Sequence, residues 1–553
     1  MSQSSHHRTA SASETAPAAP WKANVLAGFL VFLIALPLCL AIANASCFPP
    51  VAGVITAIIG GLLTPWISNS QLTIKGPAAG LIVIVAGCAL SFGWTPDDPA
   101  AQMHAYRCTL AVTVAAGVLQ VAFALLKTGV VSEMFPTTVV HGMLAAIGVI
   151  IISKQSHILL GTTPTSKEPL ELLAEIPHSL MNMNPAIAAI GVTCLAVLIG
   201  WSYVVDERLK RIPAPLLVVL LSIGMASFLG LENAHQYSWI GERYDLSEKF
   251  LVSVPMSFMS AITFPDFSEL LTKNGMLWVT MFCLIGSLES ILSAKAVDLL
   301  DPLKRRTNFD RDLLAVGVAN VAAGCLGGLP MISEIVRSRA NIDNGAKDRF
   351  ANLFHGLFLL LFLVLAPGLL HRIPLAALAA MLVYTGTRLA SPKEFLHMYK
   401  LGMDQLVVFV GTVVAVLATD LLVGILVGAC LELGYHLLGG VSWRALWRPS
   451  YELDQQDDHM LVKSQDSAVF TTWLRLKNCL TQCDHTERVV LDLSRAAIVD
   501  HTVLSKLEDL RRDWSDEGRQ LDVTGLELHE ASSAHPLSRR RLVLATVAVE
   551  SAL

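Results

Sequence analysis

Two short apolar runs in this sequence begin with residues suited to holding an ion. The first, 77–93, is entered through Lys75, Gly76, Pro77, Ala78 and Ala79. Proline fits the first turn of a helix, where its missing N–H would be unpaired anyway, and the two alanines leave the backbone approachable. The second run, 331–343, opens with Met331, Ile332 and Ser333. A helix N-terminus exposes unpaired N–H groups and about half a positive charge. Two such termini facing each other would bind an anion without any buried cation. The same small residues also suit close helix packing in a membrane.

Charged residues flank or enter these runs. Lys75 either supplements the helix dipole at an anion site or snorkels to the cytoplasmic face. Glu289 lies deep in the apolar stretch GSLESILSAK (286–295), and Ser293, one turn later, shares its face. Ionisable groups at such depth are costly and usually functional. A carboxylate, a hydroxyl and backbone carbonyls would suit sodium, a hard cation that prefers oxygen. The same glutamate could instead exchange a proton, or simply hydrogen-bond between helices. Glu334, in the first turn of the second run, is favourable at a helix N-terminus but competes there with an anion. It reads as a cap, as an ion-pair partner of Lys75, or as a group protonated during transport. Arg337, one turn on, reads as a contributor to an anion-attracting potential or as a cytoplasmic anchor.

Holding these groups in place takes membrane helices. The chain is 53% hydrophobic and 15% charged, whereas a soluble protein carries charge on about a quarter of its residues. A net charge of −5 gives no reason to expect nucleic acid as a partner. Apolar segments fall at 25–45, 50–68, 77–93, 106–126, 134–153, 185–204, 213–231, 275–298, 312–328, 331–343, 350–370, 373–390, 404–420 and 421–439. Segments 77–93 and 331–343 are too short to span alone, so they must be half-helices buried in protein or lining a cavity. Each is third in its set of seven. An odd-numbered repeat must be inverted relative to its partner, and paired interrupted segments point to a midplane site. The expected fold is therefore a polytopic α-helical membrane protein of 14 transmembrane segments in 7+7 inverted repeats. With the N-terminus inside, inner loops hold about 18 Lys and Arg against about seven outside, as the positive-inside rule requires. An even number of spans then puts the C-terminus in the cytoplasm too.

Residues 1–22, rich in Ser, Ala and Pro, are expected to be disordered. Segment 25–45 is too long and too little preceded by charge for a signal peptide. The ten cysteines form no CxxC, and Cys39, Cys88 and Cys283 sit in apolar runs as small helix residues. Residues 23–440 form the membrane domain, 441–455 a linker with interfacial tryptophans, and 456–553 a small α/β domain. In the last, MLVKS, VVLDL and LDVTGLE read as strands. HTVLSKLEDLRRDW reads as a helix with Val503, Leu504, Leu507 and Leu510 on one face. The basic stretch 535–541 suits solvent or a lipid surface. No nucleotide-binding loop is seen, so primary active transport within this chain is not expected. An enzyme is not expected.

Four stretches in this order resemble the SulP family of anion transporters, the SLC26 family of animals. AGFLVFLIALPLCLAIANAS with its central Pro37 resembles the opening helix, and QLTIKGPAAGLIVIV the third-helix motif. GGLPMISEIVRSRANIDNGAK resembles the tenth-helix region, and VVLDLSRAAIVDHTVL part of a C-terminal STAS domain. The resemblance implies a homodimer and an elevator movement of a core (segments 1–4 and 8–11) against a gate (5–7 and 12–14). The residues and the resemblance together give Lys75 to Ala79, Ile332, Ser333, Glu334 and Arg337 as the expected substrate-binding set. Glu289 matches a position where some members place an acidic cation ligand. Ser293 and Glu334 would assist it with Na+ or H+ as coupling ion, and no other cofactor is implied. Lys75 and Glu334 depart from the small or hydroxyl residues usual in the family, and Arg337 matches an arginine of some animal members. In the STAS part, Asp492 and Asp500 match acidic positions. His501 and Thr502 stand where related bacterial proteins carry a phosphorylated serine, which leaves a dimerisation or regulatory role.

Members carry sulfate, bicarbonate, chloride, oxalate or dicarboxylates. The wording IKGPAAGL and SEIVRS is most similar to bacterial members linked to carbonic anhydrases, which implies coupled bicarbonate uptake across the bacterial inner membrane. Sulfate or dicarboxylate:H+ symport is the alternative within the class. An uncoupled anion channel, or a membrane signalling protein with STAS as its output, is the alternative outside it.

Overall fold

In the computed structural model the described residues are 20–127, 135–166, 168–204, 213–253, 261–419, 421–456, 459–482, 488–516 and 518–543. Most of the expected disordered leader, 1–19, lies outside them; residues 20–22 already belong to the first helix. Each of the fourteen apolar segments contains a helix. The first half holds α1 (Pro20–Ala45), α2 (Pro50–Ile67), β1 (Ile74–Pro77), a 3-10 turn (Ala79–Leu81) running into α3 (Ile82–Ser91), α4 (Pro99–Leu125), α5 (Thr137–Leu159), α6 (Pro169–Met181), α7 (Pro185–Val204) and α8 (Ala214–Phe228). A hairpin, β2 (His235–Trp239) and β3 (Glu242–Leu246), follows. The second half holds α9 (Lys273–Leu300), α10 (Phe309–Leu326), β4 (Met331–Glu334), α11 (Ile335–Asp343), α12 (Phe350–Leu365), α13 (Pro367–Leu370), α14 (Leu375–Leu389), α15 (Pro392–Leu401), α16 (Met403–Ala418) and α17 (Leu421–Leu438).

Five described helices are long and apolar enough to cross a membrane alone, or six if α6 and α7, bent at 117°, count as one broken span. Several of the others are 10–17-residue apolar helices. The hairpin, α6 and α15 escaped the hydropathy reading because their apolar residues occupy one face only.

The two halves meet with a reciprocity expected of inverted repeats. A Cβ on Gly117 of α4 would stand 2.9 Å from the Gly317 carbonyl of α10, and one on Gly317 would stand 2.9 Å from the Gly117 carbonyl. Exchanging each helix for its counterpart in the other repeat turns this pair into α12 and α2. There Gly356 and Gly61 meet in the same manner, each Cβ position falling within 2.6–2.9 Å of the other's Cα. Small residues let membrane helices pack at backbone distance. Gly317→Val would push against the backbone of α4, and overpacking of this kind costs about 1–3 kcal/mol or more. Thermal unfolding of the detergent-purified protein should show a clear drop for Gly317→Val. Gly200→Val, whose Cβ meets nothing within 4 Å, should show none.

β1 and β4 form a two-stranded antiparallel ribbon, pairing Ile74 with Glu334, Lys75 with Ser333, Gly76 with Ile332 and Pro77 with Met331. This corrects the starts expected for both half-helices. Gly76, Pro77 and Met331 to Ser333 are strand residues; the helical turns begin at Ala79 and Ile335. At membrane depth each strand satisfies the other's backbone polar groups, which an isolated extended segment could not do.

Beyond α18 (Trp443–Trp447), β5 (Tyr451–Gln455), β6 (Met460–Ser464), β7 (Arg488–Asp492) and β9 (Gln520–Thr524) form a sheet in the order 5-6-7-9. The short β8 (Ile498–Val499) joins β10 (His529–Ala531) and β11 (Arg540–Leu542) in a second sheet. α19 (Trp473–Thr481) and α20 (His501–Asp516) complete the unit. Val503, Leu504, Leu507 and Leu510 are all buried in its core. β5 belongs to this sheet, although the sequence reading placed 441–455 in a linker; its residues are almost all exposed, so no buried face marked it as a strand. The unit docks on the membrane domain through Lys295–Asp509 (2.8 Å), Arg539–Asp404 (3.2 Å) and the Ser533 hydroxyl donating to the Lys400 carbonyl (2.8 Å).

Candidate functional site

A cavity of about 500 Å³ opens where the two half-helices begin. One wall comes from α1, Ala78 to Gly80, α9, Ile332 and Glu334 to Val336. The facing wall comes from α5, α7, α8 and α14, including Trp201, Tyr384 and Arg388. The two walls coincide with the core and gate groupings expected from the sequence.

Ala78 and Glu334 hold extended backbone at the N-cap positions of the 3-10/α3 and α11 turns. The first-turn N–H groups of such helices lack intrahelical partners. Glu289 and Ser293 line the cavity from α9, 5% and 6% exposed. The Glu289 carboxylate lies against the turn at Gly80: a Cβ there would stand 2.3 Å from Oε1. Oε1 has no hydrogen-bond partner among the described residues. Glu334 lines the same cavity from the other half-helix. The cavity thus gathers two acids and Arg388 around two electropositive helix starts.

The remaining expected site residues lie behind this surface. Lys75 neither snorkels nor reaches the cavity. It is 1% exposed, and its Nζ donates to Asp312 Oδ1 (2.7 Å), Thr73 Oγ1 (2.7 Å) and Ser333 Oγ (2.6 Å). The Lys75–Glu334 pair, one of the alternatives for Glu334, is absent because alternate strand residues face opposite sides: Lys75 opposes Ser333, while Glu334 opposes Ile74. The Ser333 hydroxyl in turn donates to Asp312 Oδ2 (2.9 Å), and the Ser290 hydroxyl of α9 donates to Ser333 (3.2 Å). Arg337 is also 1% exposed and donates from Nη2 to the Pro77 carbonyl (2.7 Å), clamping the end of β1 instead of lining the cavity. Gly76 makes room for it: a Cβ there would stand 2.3 Å from Arg337 Nη1. Of the expected residues, Ala78, Ala79, Glu289, Ser293, Ile332 and Glu334 therefore share the cavity, whereas Lys75, Gly76, Pro77, Ser333 and Arg337 lie behind it.

Two groups escaped the sequence reading. Asp312 was detectable as an acid at the start of an apolar segment. Arg388 carried no signal beyond its loop charge.

Known proteins bear on this arrangement. YvdB of Bacillus subtilis is 27% identical over 450 residues, 81% of this chain and 78% of its own. The bicarbonate transporter BicA of Picosynechococcus is 23% identical over 408 residues, 74% of this chain and 68% of its own. The structure of the murine anion transporter Slc26a9 in its inward-facing state shares the fold, with a TM-score of 0.65 at 15% identity over 91% of this chain and 85% of that one. The sequence pattern of the sulfate permease family matches residues 21–429, and this chain belongs to that family of membrane anion transporters.

Proposed function

We propose that this protein takes up bicarbonate together with Na+ through the cavity between its half-helices. The anion sits at the helix starts at Ala78–Ala79 and Ile335, and the cation sits at Glu289 and Ser293. One observation carries this reading: a buried carboxylate with an unpartnered oxygen lies against the helix turn that would hold the anion. Two acids beside an anion site repel the anion unless a cation or proton accompanies it. Lys75, Arg337 and Ser333 support the ribbon from behind and never touch substrate. Transport proceeds by an elevator movement of the wall carrying Glu289 past the wall carrying Trp201 and Arg388. The protein works as a homodimer in the bacterial inner membrane, with the α/β unit as a cytoplasmic STAS domain that supports assembly.

The test is uptake by purified protein in liposomes, with labelled bicarbonate, sulfate and succinate under Na+ and proton gradients. Bicarbonate should accumulate only with an inward Na+ gradient. Accumulation of sulfate or succinate driven by protons, with no response to Na+, would assign the alternative symport. Equilibration without accumulation under any gradient would assign a channel.

Gly80→Ala probes the same contact by sterics. The new methyl meets the far end of a flexible side chain, so Glu289 can shift and the fold should survive. We expect unchanged thermal unfolding and uptake at least about tenfold lower, since about 1 Å of misplacement at a positioned site can cost about a hundredfold.

A further inference from the structure

We propose that Glu432, His436 and Asp500 form a binding site for a divalent metal ion of the zinc class at the joint between α17 and the α/β unit. Glu432 and His436 stand one turn apart near the end of α17, and Asp500 precedes α20. The three side chains are 0–1% exposed. His436 Nε2 lies 3.6 Å from Glu432 Oε1 and 3.5 Å from Asp500 Oδ2, and the three ligand atoms lie within 4.8 Å of one another. Ligands about 2.1 Å from a tetrahedral zinc ion stand about 3.4 Å apart, so both spacings to His436 Nε2 match such a centre.

The hydrogen bonding agrees. Neither nitrogen of His436 has a hydrogen-bond partner among the described residues, and neither has Glu432 Oε2. Leaving such groups buried and unpaired is unfavourable, and a metal ion would satisfy them. The remaining lone pairs are held by neighbours that fix the ligands in place, as outer-shell contacts do in metal sites. Gln405 Nε2 donates to Glu432 Oε1 (3.2 Å), and Thr138 holds Gln405. The backbone N–H groups of Phe470 and Val503 donate to the two Asp500 oxygens (2.5 and 2.7 Å). Charge points the same way. Two carboxylates and a neutral imidazole balance one dication. The nearby Arg539 is drawn to Asp404, 3.2 Å away. One imidazole and two carboxylates suit zinc and its neighbours in the first transition row. The ion would tie the last membrane helix to the cytoplasmic unit, and this holds whatever the protein transports.

The experiment measures metal in the full-length protein, made in zinc-supplemented medium and purified without a histidine tag or chelator. Elemental analysis should find about one zinc per chain. A chromogenic zinc chelator should withdraw it slowly, and thermal unfolding should fall on chelation and recover on adding zinc. His436→Ala and Asp500→Asn should lose the metal. His104→Ala should keep it; His104 belongs to a second, more exposed group with Cys108 and Asp266. If either buried-cluster variant does not fold, the wild-type metal content and the chelation shift still decide. Wild-type protein that holds no metal and gains no stability from zinc would overturn the proposal, as would zinc content unchanged in both variants or lost in His104→Ala.

Discussion

Lys75→Met should lower the folding stability of this protein by about 3–5 kcal/mol, the cost of leaving one partner of a buried ion pair alone. Asp312 would keep only the hydroxyls of Ser68 and Ser333, in a pocket where the two charged side chains are 1% and 3% exposed. The ammonium also joins β1 to α10 and, through Ser333, to β4, so its loss loosens the ribbon that places both helix starts. Lys75→Met/Asp312→Asn removes both charges and should regain most of the loss, because a buried pair contributes little beyond its isosteric neutral replacement. Thermal unfolding of the purified proteins checks this. A single variant as stable as wild type, or a double variant as weak as the single, would mean that the pair does not hold the ribbon.

The part of the site visible in the sequence is the part set by local physics. Two runs too short to span, each followed or preceded by charge, were enough to locate the half-helices. Glu289 stood out because a carboxylate is rare inside an apolar helix. The boundaries were less legible: Gly76 and Pro77 read as a helix start because nothing local shows that residues 74–77 pair with residues 331–334. That pairing decides which face each side chain takes. It sent Lys75 to Asp312, 237 positions away, and not to Glu334. The side chains that line the gate wall were hidden for the same reason. Trp201, Tyr384 and Arg388 come from helices whose patterns mark them only as membrane segments, and they meet the core wall by packing alone. The cluster of Glu432, His436 and Asp500 needed both the end of α17 and the start of α20 in place before it existed.

The proposed coupling rests on Glu289. Helix starts hold an anion but do not drive it inward against a potential that is negative inside; at 100 mV that opposition is about 2.3 kcal/mol for one charge. A cation bound beside the anion would remove it, and Glu289 with Ser293 offers oxygens one helix turn apart on the cavity wall, beside the proposed anion position. Glu289→Gln keeps the shape and removes the charge. The decisive measurement is Na+-driven bicarbonate accumulation in proteoliposomes by wild type, Glu289→Gln and Glu334→Gln, with bicarbonate exchange at equal Na+ measured beside it. Accumulation should collapse to the passive level in Glu289→Gln while exchange persists, and Glu334→Gln should keep most of both. Full accumulation by Glu289→Gln, with loss in Glu334→Gln, would place the cation on the other half-helix and contradict the account.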